Sequence, residues 1–291
     1  MSLEQFDVDY TKEILPNGVF GTVYTAARWK GAKVAAKMIR FQSFGKKAAE
    51  DIFETLSRVA GHINVLNILG KSEDDACLWI VMDFCVFGNL SNVFTSRPVD
   101  LAEISLLMLQ TATGLEHIHS LGIVHGSVKP ENILVTRDDG TGQAVVKISD
   151  FSVFTVVDLE EVIATRAETP ERSYSLFFPP ERYCGSEPAT PGDIFAFGLV
   201  WLSCLQFSAG CVVLSPKVET GETFSSVGPI GLMMYSEKRG AQKEVRIVNV
   251  EGASAGAALN ARKTIEKMVL FDPAQRLPVE AVRSELQKLQ C

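Results

Sequence analysis

The sequence predicts a two-lobed α+β fold, a small antiparallel sheet carrying one main helix followed by a larger, mostly helical lobe. Three observations predict it. Up to about residue 84 the chain reads as short strands around a single amphipathic helix. From about residue 89 long runs of helical period take over. No internal repeat, low-complexity tract or flexible linker separates the halves. One domain over 1–291 is therefore expected, with a small lobe at about 8–84, a hinge at about 83–88 and a large lobe at about 89–290.

The elements follow in order. "KEILPNGVFGTVYTAAR" gives an apolar run, a glycine turn and an alternating strand, and "AKVAAKMIR" gives a second strand. "FGKKAAEDIFETLSRVAG" places Ala49, Ile52, Phe53, Leu56 and Val59 at helical spacing, and Gly61 stops the helix. "ACLWIVMDF" reads as a buried strand. "DLAEISLLMLQTATGLEHIHSLG" is a long helix with Asp100 as N-cap and Gly122 as stop. "NILVT" and "AVVKIS" are short strands joined by the turn "RDDGTG". Residues 152–181 read as a long irregular loop. "IFAFGLVWLSCLQFSAGCVVL", residues 194–214, is broken by Ser203, Gln206, Ser208 and Gly210, so a buried core helix followed by a loop is expected rather than a membrane span. Periodicity is poor from 207 to 258. The last stretch is helical, broken at Asp272 and Pro273.

Composition excludes several classes. The chain is 46% hydrophobic and 22% charged, the profile of a soluble globular chain, and its formal net charge is -7. That charge argues against a nucleic-acid binder, which needs a basic face. The six cysteines form no C-x-x-C pair and no metal-ligand spacing, and read as reduced thiols of a reducing, cytoplasmic compartment. The first residues show no signal pattern, so neither export nor membrane insertion is expected.

Four features stand in a fixed order. Gly18 and Gly21 lie in a turn between strands, where backbone can approach phosphates closely. Lys37 ends "VAAK" on the next strand, where an ammonium could pair with phosphate oxygens. "HGSVKPENIL", residues 125–134, follows the long helix. "KISDFS" sets Asp150 just after an apolar strand, where a carboxylate could hold Mg²⁺. Each alone is weak, since two glycines are usually a plain turn and a strand lysine a solvated face. Together and in order they resemble the eukaryotic protein kinase family, over nearly the whole chain.

The resemblance implies a nucleotide cleft between the lobes, filled by ATP with Mg²⁺. Val23, Ala35 and Leu134 would enclose adenine, Met82 would be the gatekeeper, and Asp83 to Cys85 would supply hinge backbone. Lys37 would bind the alpha and beta phosphates, Asn132 and Asp150 would hold Mg²⁺, and Lys129 would approach the transferred phosphate. His125 and Phe151 would belong to the internal spine joining the lobes. Glu181 of "FFPPERY" would pair with Arg276 of "FDPAQRL", and Asp193 would open the buried central helix.

The pattern also departs from the family. Pro16 replaces the first glycine of the phosphate loop, which stiffens it and removes a donor. Ser152 replaces the glycine after Asp-Phe. The glutamate that should pair with Lys37 is hard to place. Glu54 and Glu50 are candidates, but aligning on His62 and Asn64 puts Phe53 at the expected position. Gly126 removes the arginine that reads a phosphorylated activation loop. Ser127 is the decisive departure, because the family's catalytic aspartate stands there and a serine hydroxyl is a poor base.

The resemblance therefore implies a degenerate member, a pseudokinase. Such a protein would bind nucleotide and regulate or scaffold a protein partner, an active kinase among the candidates. An atypical active kinase is the second reading, and a nucleotide-independent interaction module the third.

Overall fold

A computed structural model describes residues 6–9, 14–18, 21–150, 177–207, 213–217, 246–250 and 255–290. The small lobe is a six-stranded antiparallel sheet of β1 (Phe6–Val8), β2 (Ile14–Gly18), β3 (Gly21–Trp29), β4 (Ala32–Arg40), β5 (Ile68–Glu73) and β6 (Cys77–Asp83). Its hydrogen-bonded order is β1-β3-β4-β6-β5, and β2 pairs the first part of β3. The β2–β3 register shifts between Leu15 and Gly18, the stretch that contains Pro16. A proline has no N–H to give a ladder, and an edge strand with a bulge is where a sheet tolerates one.

Period two decides which way Lys37 faces. On β4, Val34, Ala36 and Met38 pack into an outer cluster with Tyr24, Trp79 and Val81, while Ala35 and Ile39 join the main core on the other face. Lys37 shares that inner face with Ala35 and Ile39. Both faces of β4 are covered, which is why "VAAKMI" reads as a continuous buried run rather than an alternating one.

Two helices join the sheet, α1 (Phe41–Phe44) and α2 (Lys46–Val59). The latter buries Ala49, Ile52, Leu56 and Val59 as one stripe, with Phe53 half-buried beside it.

The large lobe begins with α3 (Leu90–Ser96) and α4 (Leu101–Ser120). Asn89 caps α3 in a reciprocal pair with Asn92, and Asp100 caps α4 by accepting from the Glu103 N–H at 2.8 Å. The hairpin of β7 (Ile133–Arg137) and β8 (Ala144–Ile148) follows, then α5 (Thr190–Phe207), α6 (Ala255–Met268) and α7 (Val279–Lys288). The buried central helix is α5, with Phe195, Phe197 and Trp201 fully enclosed. Among the described residues no helix is long and apolar enough to cross a membrane.

The segment after α2 welds the lobes. Leu66 N–H donates to the Ile148 carbonyl and Ile148 N–H to the Asn64 carbonyl, both at 2.9 Å. The Asn64 side-chain amide reaches the Val146 carbonyl at 3.1 Å.

The structure corrects one expectation and leaves another largely outside the described residues. Residues after α5 are not all loop, because β9 (Val213–Lys217) and β10 (Arg246–Val250) form an antiparallel pair. Strands whose partners lie so far apart in sequence, in a Gly- and Ser-rich stretch, leave no local period to detect. The loop expected over 152–181 lies outside the described residues up to 176, and its end forms a short 3-10 turn, Pro180–Cys184.

Candidate functional site

The inner face of the sheet and the ends of the β7–β8 hairpin converge on one region. Lys37 is buried, and its Nζ donates to Asp150 Oδ1 at 2.6 Å. Asp150 takes a φ of +57°, left-handed backbone that an aspartate tolerates at a cost of about 1–3 kcal/mol. Burial disfavours the charged form of Asp150, but the Lys37 ammonium, with Lys129 beyond it, overrides that and holds the carboxyl below the usual aspartate value. The site thus keeps an ionised carboxylate against a buried cation.

Asn132 lies next to this pair through the backbone. Ser149, which precedes Asp150, donates to the Asn132 carbonyl from both its N–H, at 2.9 Å, and its hydroxyl, at 3.1 Å. The Asn132 amide nitrogen donates to the Ser127 carbonyl at 2.8 Å and to the Ser127 hydroxyl at 3.1 Å. With the nitrogen committed, the amide oxygen of Asn132 and the carboxylate of Asp150 are the oxygens this corner has to offer. An amide oxygen and a carboxylate fit a hard divalent cation that takes its other ligands from phosphate and water.

Asp193, buried in the first turn of α5, anchors the loop that carries Ser127. It accepts from the backbone N–H of His125 at 2.8 Å and of Gly126 at 2.7 Å, and it meets His119 Nε2 at 2.8 Å. Gly126 sits at φ +74°, a left-handed conformation that glycine adopts without penalty. The Ser127 N–H donates to His125 Nδ1 at 3.1 Å, so the neutral ring carries its proton on Nε2. Burial lowers the His125 pKa and keeps that ring neutral.

Ala35, Met82 and Cys85 are buried in the main core that runs through both lobes, and Val23 and Leu134 are partly buried against it. Met82 lies opposite Ala35 in the β4–β6 ladder. Asp83 ends β6 and donates its N–H to the Asn67 carbonyl at 3.2 Å. Burial pushes the Cys85 thiol up to about 12, so it stays protonated. Gly18 and Gly21 face each other across the β2–β3 turn, and Gly21 at φ +131° passes so close to β4 that a Cβ would lie 2.2 Å from the Met38 carbonyl oxygen.

Glu181 and Arg276 form a bidentate pair at 2.6 and 2.7 Å. Arg276 also donates to the carbonyls of Pro191, Leu270 and Phe271, and its side chain is fully buried.

One expectation fails and one lies out of reach. Neither Glu54 nor Glu50 pairs with Lys37. The buried stripe of α2 runs through Ile52 and Leu56, which turns Glu54 to solvent and Glu50 toward Lys46 and Lys47. Phe53 takes the inward-facing place instead, with Lys71 over its ring at 4.8 Å. Phe151 and Ser152 lie outside the described residues.

Sequence reasoning missed His119 and the Ser127–Asn132 link. His119 meets Asp193 from far along the chain, which no local spacing signals, and the Ser127–Asn132 bond depends on how one short loop turns back on itself, which residue type alone does not reveal.

A family model of the protein kinase domain matches residues 10–285. Among curated proteins, a probable serine/threonine-protein kinase of Dictyostelium discoideum is 35% identical over 159 residues, 54% of this chain and 11% of that protein. The serine/threonine-protein kinase ksp1 of Schizosaccharomyces pombe is 32% identical over 150 residues, 48% of this chain and 31% of the relative. A probable inactive receptor kinase of Arabidopsis thaliana is 28% identical over 204 residues, 66% of this chain and 30% of that protein. The chain thus spans less than a third of the length of each of these relatives. With the family model covering nearly all of it, and a curled sheet packed on a helical lobe around Lys37 and Asp150, this chain belongs to the protein kinase domain family.

Proposed function

We propose that this domain binds ATP with Mg²⁺ in the cleft between sheet and helical lobe, and works as a pseudokinase, a kinase-fold regulator or scaffold. The observation that carries this reading is the state of Ser127. Its hydroxyl is buried and accepts from the Asn132 amide at 3.1 Å. A hydroxyl with no charge at neutral pH is a poor base for the incoming substrate hydroxyl. A positioned base contributes about 10²- to 10⁴-fold to such a transfer, and that share is what this chain forgoes.

The nucleotide half of the reading is supported by the residues around it. Lys37 would pair with phosphate oxygens, Asn132 and Asp150 would hold the metal, and Lys129, also buried, would approach the outermost phosphate. Val23, Ala35, Met82 and Leu134 would supply apolar walls for a planar base, and the backbone of Asp83 to Cys85 would meet its edge. When bound, ATP with Mg²⁺ would supply the transferable phosphoryl group. The chain's own residues would bind and orient it without activating an acceptor. A protein partner, an active kinase among the candidates, is the expected target of regulation, and the free thiols of Cys77, Cys85 and Cys204 suit a reducing, cytoplasmic setting.

An atypical active kinase is the second reading. The observation favouring it is that Lys37, Lys129, Asn132 and Asp150 are all retained, in a chain whose relatives include proteins named serine/threonine-protein kinases.

Melting with ATP, with and without Mg²⁺, tests the binding half. A ligand that binds only the folded state stabilises by RT ln(1 + [L]/Kd), about 2.7 kcal/mol at a hundredfold excess over Kd. Millimolar ATP should raise Tm, and Lys37→Ala should abolish most of the rise. An unchanged Tm with either Mg²⁺ or Mn²⁺ present would favour the nucleotide-independent module instead.

A further inference from the structure

The segment that welds the lobes rests on two histidines that the nucleotide reading does not use. His62 stacks on His117 of α4, with ring centroids 4.6 Å apart and planes within 12° of parallel. Its Nδ1 accepts the Asn64 N–H at 3.1 Å, so the neutral ring carries its proton on Nε2. Asn64 is the centre of the weld. Its carbonyl accepts the Ile148 N–H at 2.9 Å, and its side-chain amide donates to the Val146 carbonyl and to Gln110 Oε1, each at 3.1 Å. The seat on α4 is tight, since a Cβ at Gly114 would lie 2.7 Å from the Asn64 carbonyl oxygen. Gly114 and His117 are three residues apart on α4 and share the face that receives the segment.

A second proton on the His62 ring has only Nδ1 to go to, where it would meet the Asn64 N–H donor to donor. The resulting cation would lie against His117, whose Nε2 is buried with no hydrogen-bond partner among the described residues. The other charges facing His62 come from two elements. Lys147 of β8 opposes a positive ring, and Glu116 of α4 favours one. Glu116 is itself paired with Arg283 of α7 at 2.6 Å. Burial acts first against the cation, then His117 and Lys147, and together they outweigh Glu116.

We infer that the His62–His117 stack is a proton-sensitive latch on the weld: a proton on His62 Nδ1 expels the Asn64 N–H, loosens Asn64 from Val146 and Ile148, and frees the end of β8 from the segment after α2. Ile148 stands two residues before Asp150, so the strand end that carries the site is what the latch holds. Once the weld opens, His62 recovers an ordinary pKa near 6.5. The closed form is therefore fully favoured above that pH and loses ground as pH falls below it. Uptake of one proton per opening multiplies the open fraction by about eight between about pH 7 and about pH 5.5. The inference stands apart from the nucleotide reading, because the latch works in protein without ATP.

Amide hydrogen exchange on the ATP-free chain tests it, with each rate corrected for the intrinsic pH dependence of exchange. The Leu66 and Ile148 amides should exchange faster than those of α5, by local opening, and their protection should fall about eightfold from about pH 7 to about pH 5.5. His62→Gln, whose amide oxygen can take the Asn64 N–H without titrating, should hold the protection of both nearly constant. A second measurement uses the natural chain alone. By NMR the His62 ring should titrate below 6.5, and the Asn64 amide should shift with the same midpoint. Protection that does not change with pH, exchange of the two amides at the rate of α5, or the same fall in folded His62→Gln would each overturn the inference. So would a His62 ring that titrates at or above 6.5.

Discussion

Ser127 and the groups bonded to it show how much chemistry rests on one position. The Asn132 amide donates to the neutral Ser127 hydroxyl, while Lys37 pairs with Asp150 and favours its ionised form. The histidines carry a second, pH-dependent consequence. Burial lowers the pKa of His125, and burial, then His117 and Lys147, lowers that of His62. An unfolded histidine titrates near 6.5, so below about that pH the unfolded chain takes up protons that the folded chain refuses. The stabilisation is fully present above that pH and is lost as pH falls through the window below it. Tm should therefore decline between about pH 7 and about pH 5.5, and His62→Gln, which keeps an acceptor for the Asn64 N–H, should shallow the decline. A Tm that does not change over this range would contradict the assignment of neutral buried rings.

Two elements make predictions of their own. The 3-10 turn Pro180–Cys184 is tied to the turn before α7 by Glu181 and the fully buried Arg276. Removing one member of such a pair typically costs about 3 to 5 kcal/mol, because the other charge is left uncompensated. Arg276→Ala should therefore lower denaturant stability far more than Arg58→Ala on the exposed face of α2; equal and small losses would mean the pair contributes little. On α2, Glu50→Gln and Glu54→Gln should leave the ATP-induced shift of Tm unaltered, since neither carboxylate reaches Lys37. A shift lost in either variant would mean that nucleotide draws the helix inward. Elements with a strong local period were legible in the sequence: α2 from Ala49, Ile52, Leu56 and Val59, α4 from its Asp100 cap, and β6 from a run buried on both faces. β9 and β10 were not, because their pairing is long-range and their sequences carry little alternation. In the site, the order of Lys37, Asn132 and Asp150 was readable as a motif. The partner of Lys37 was not, because the facing of a glutamate on α2 depends on a rotation of one residue that Phe53 decides by packing inward.

At the scale of the whole molecule, the proposed cleft takes Val23, Ala35 and Lys37 from the sheet and Asn132, Leu134 and Asp150 from the helical lobe. A nucleotide touching both sides would bias their closure only through its differential affinity for the open and closed states, a coupling of typically about 1 to 3 kcal/mol. A partner sensitive to that closure would read nucleotide occupancy without any phosphate being transferred. The direct test is radiolabelled transfer from ATP, measured at confirmed ATP occupancy on protein free of co-purifying kinases, for the natural chain and for Ser127→Ala. The account predicts that both bind ATP and that any trace of transfer is the same in the two. A fall of about tenfold or more in Ser127→Ala would make the serine hydroxyl a participant in catalysis and contradict the account.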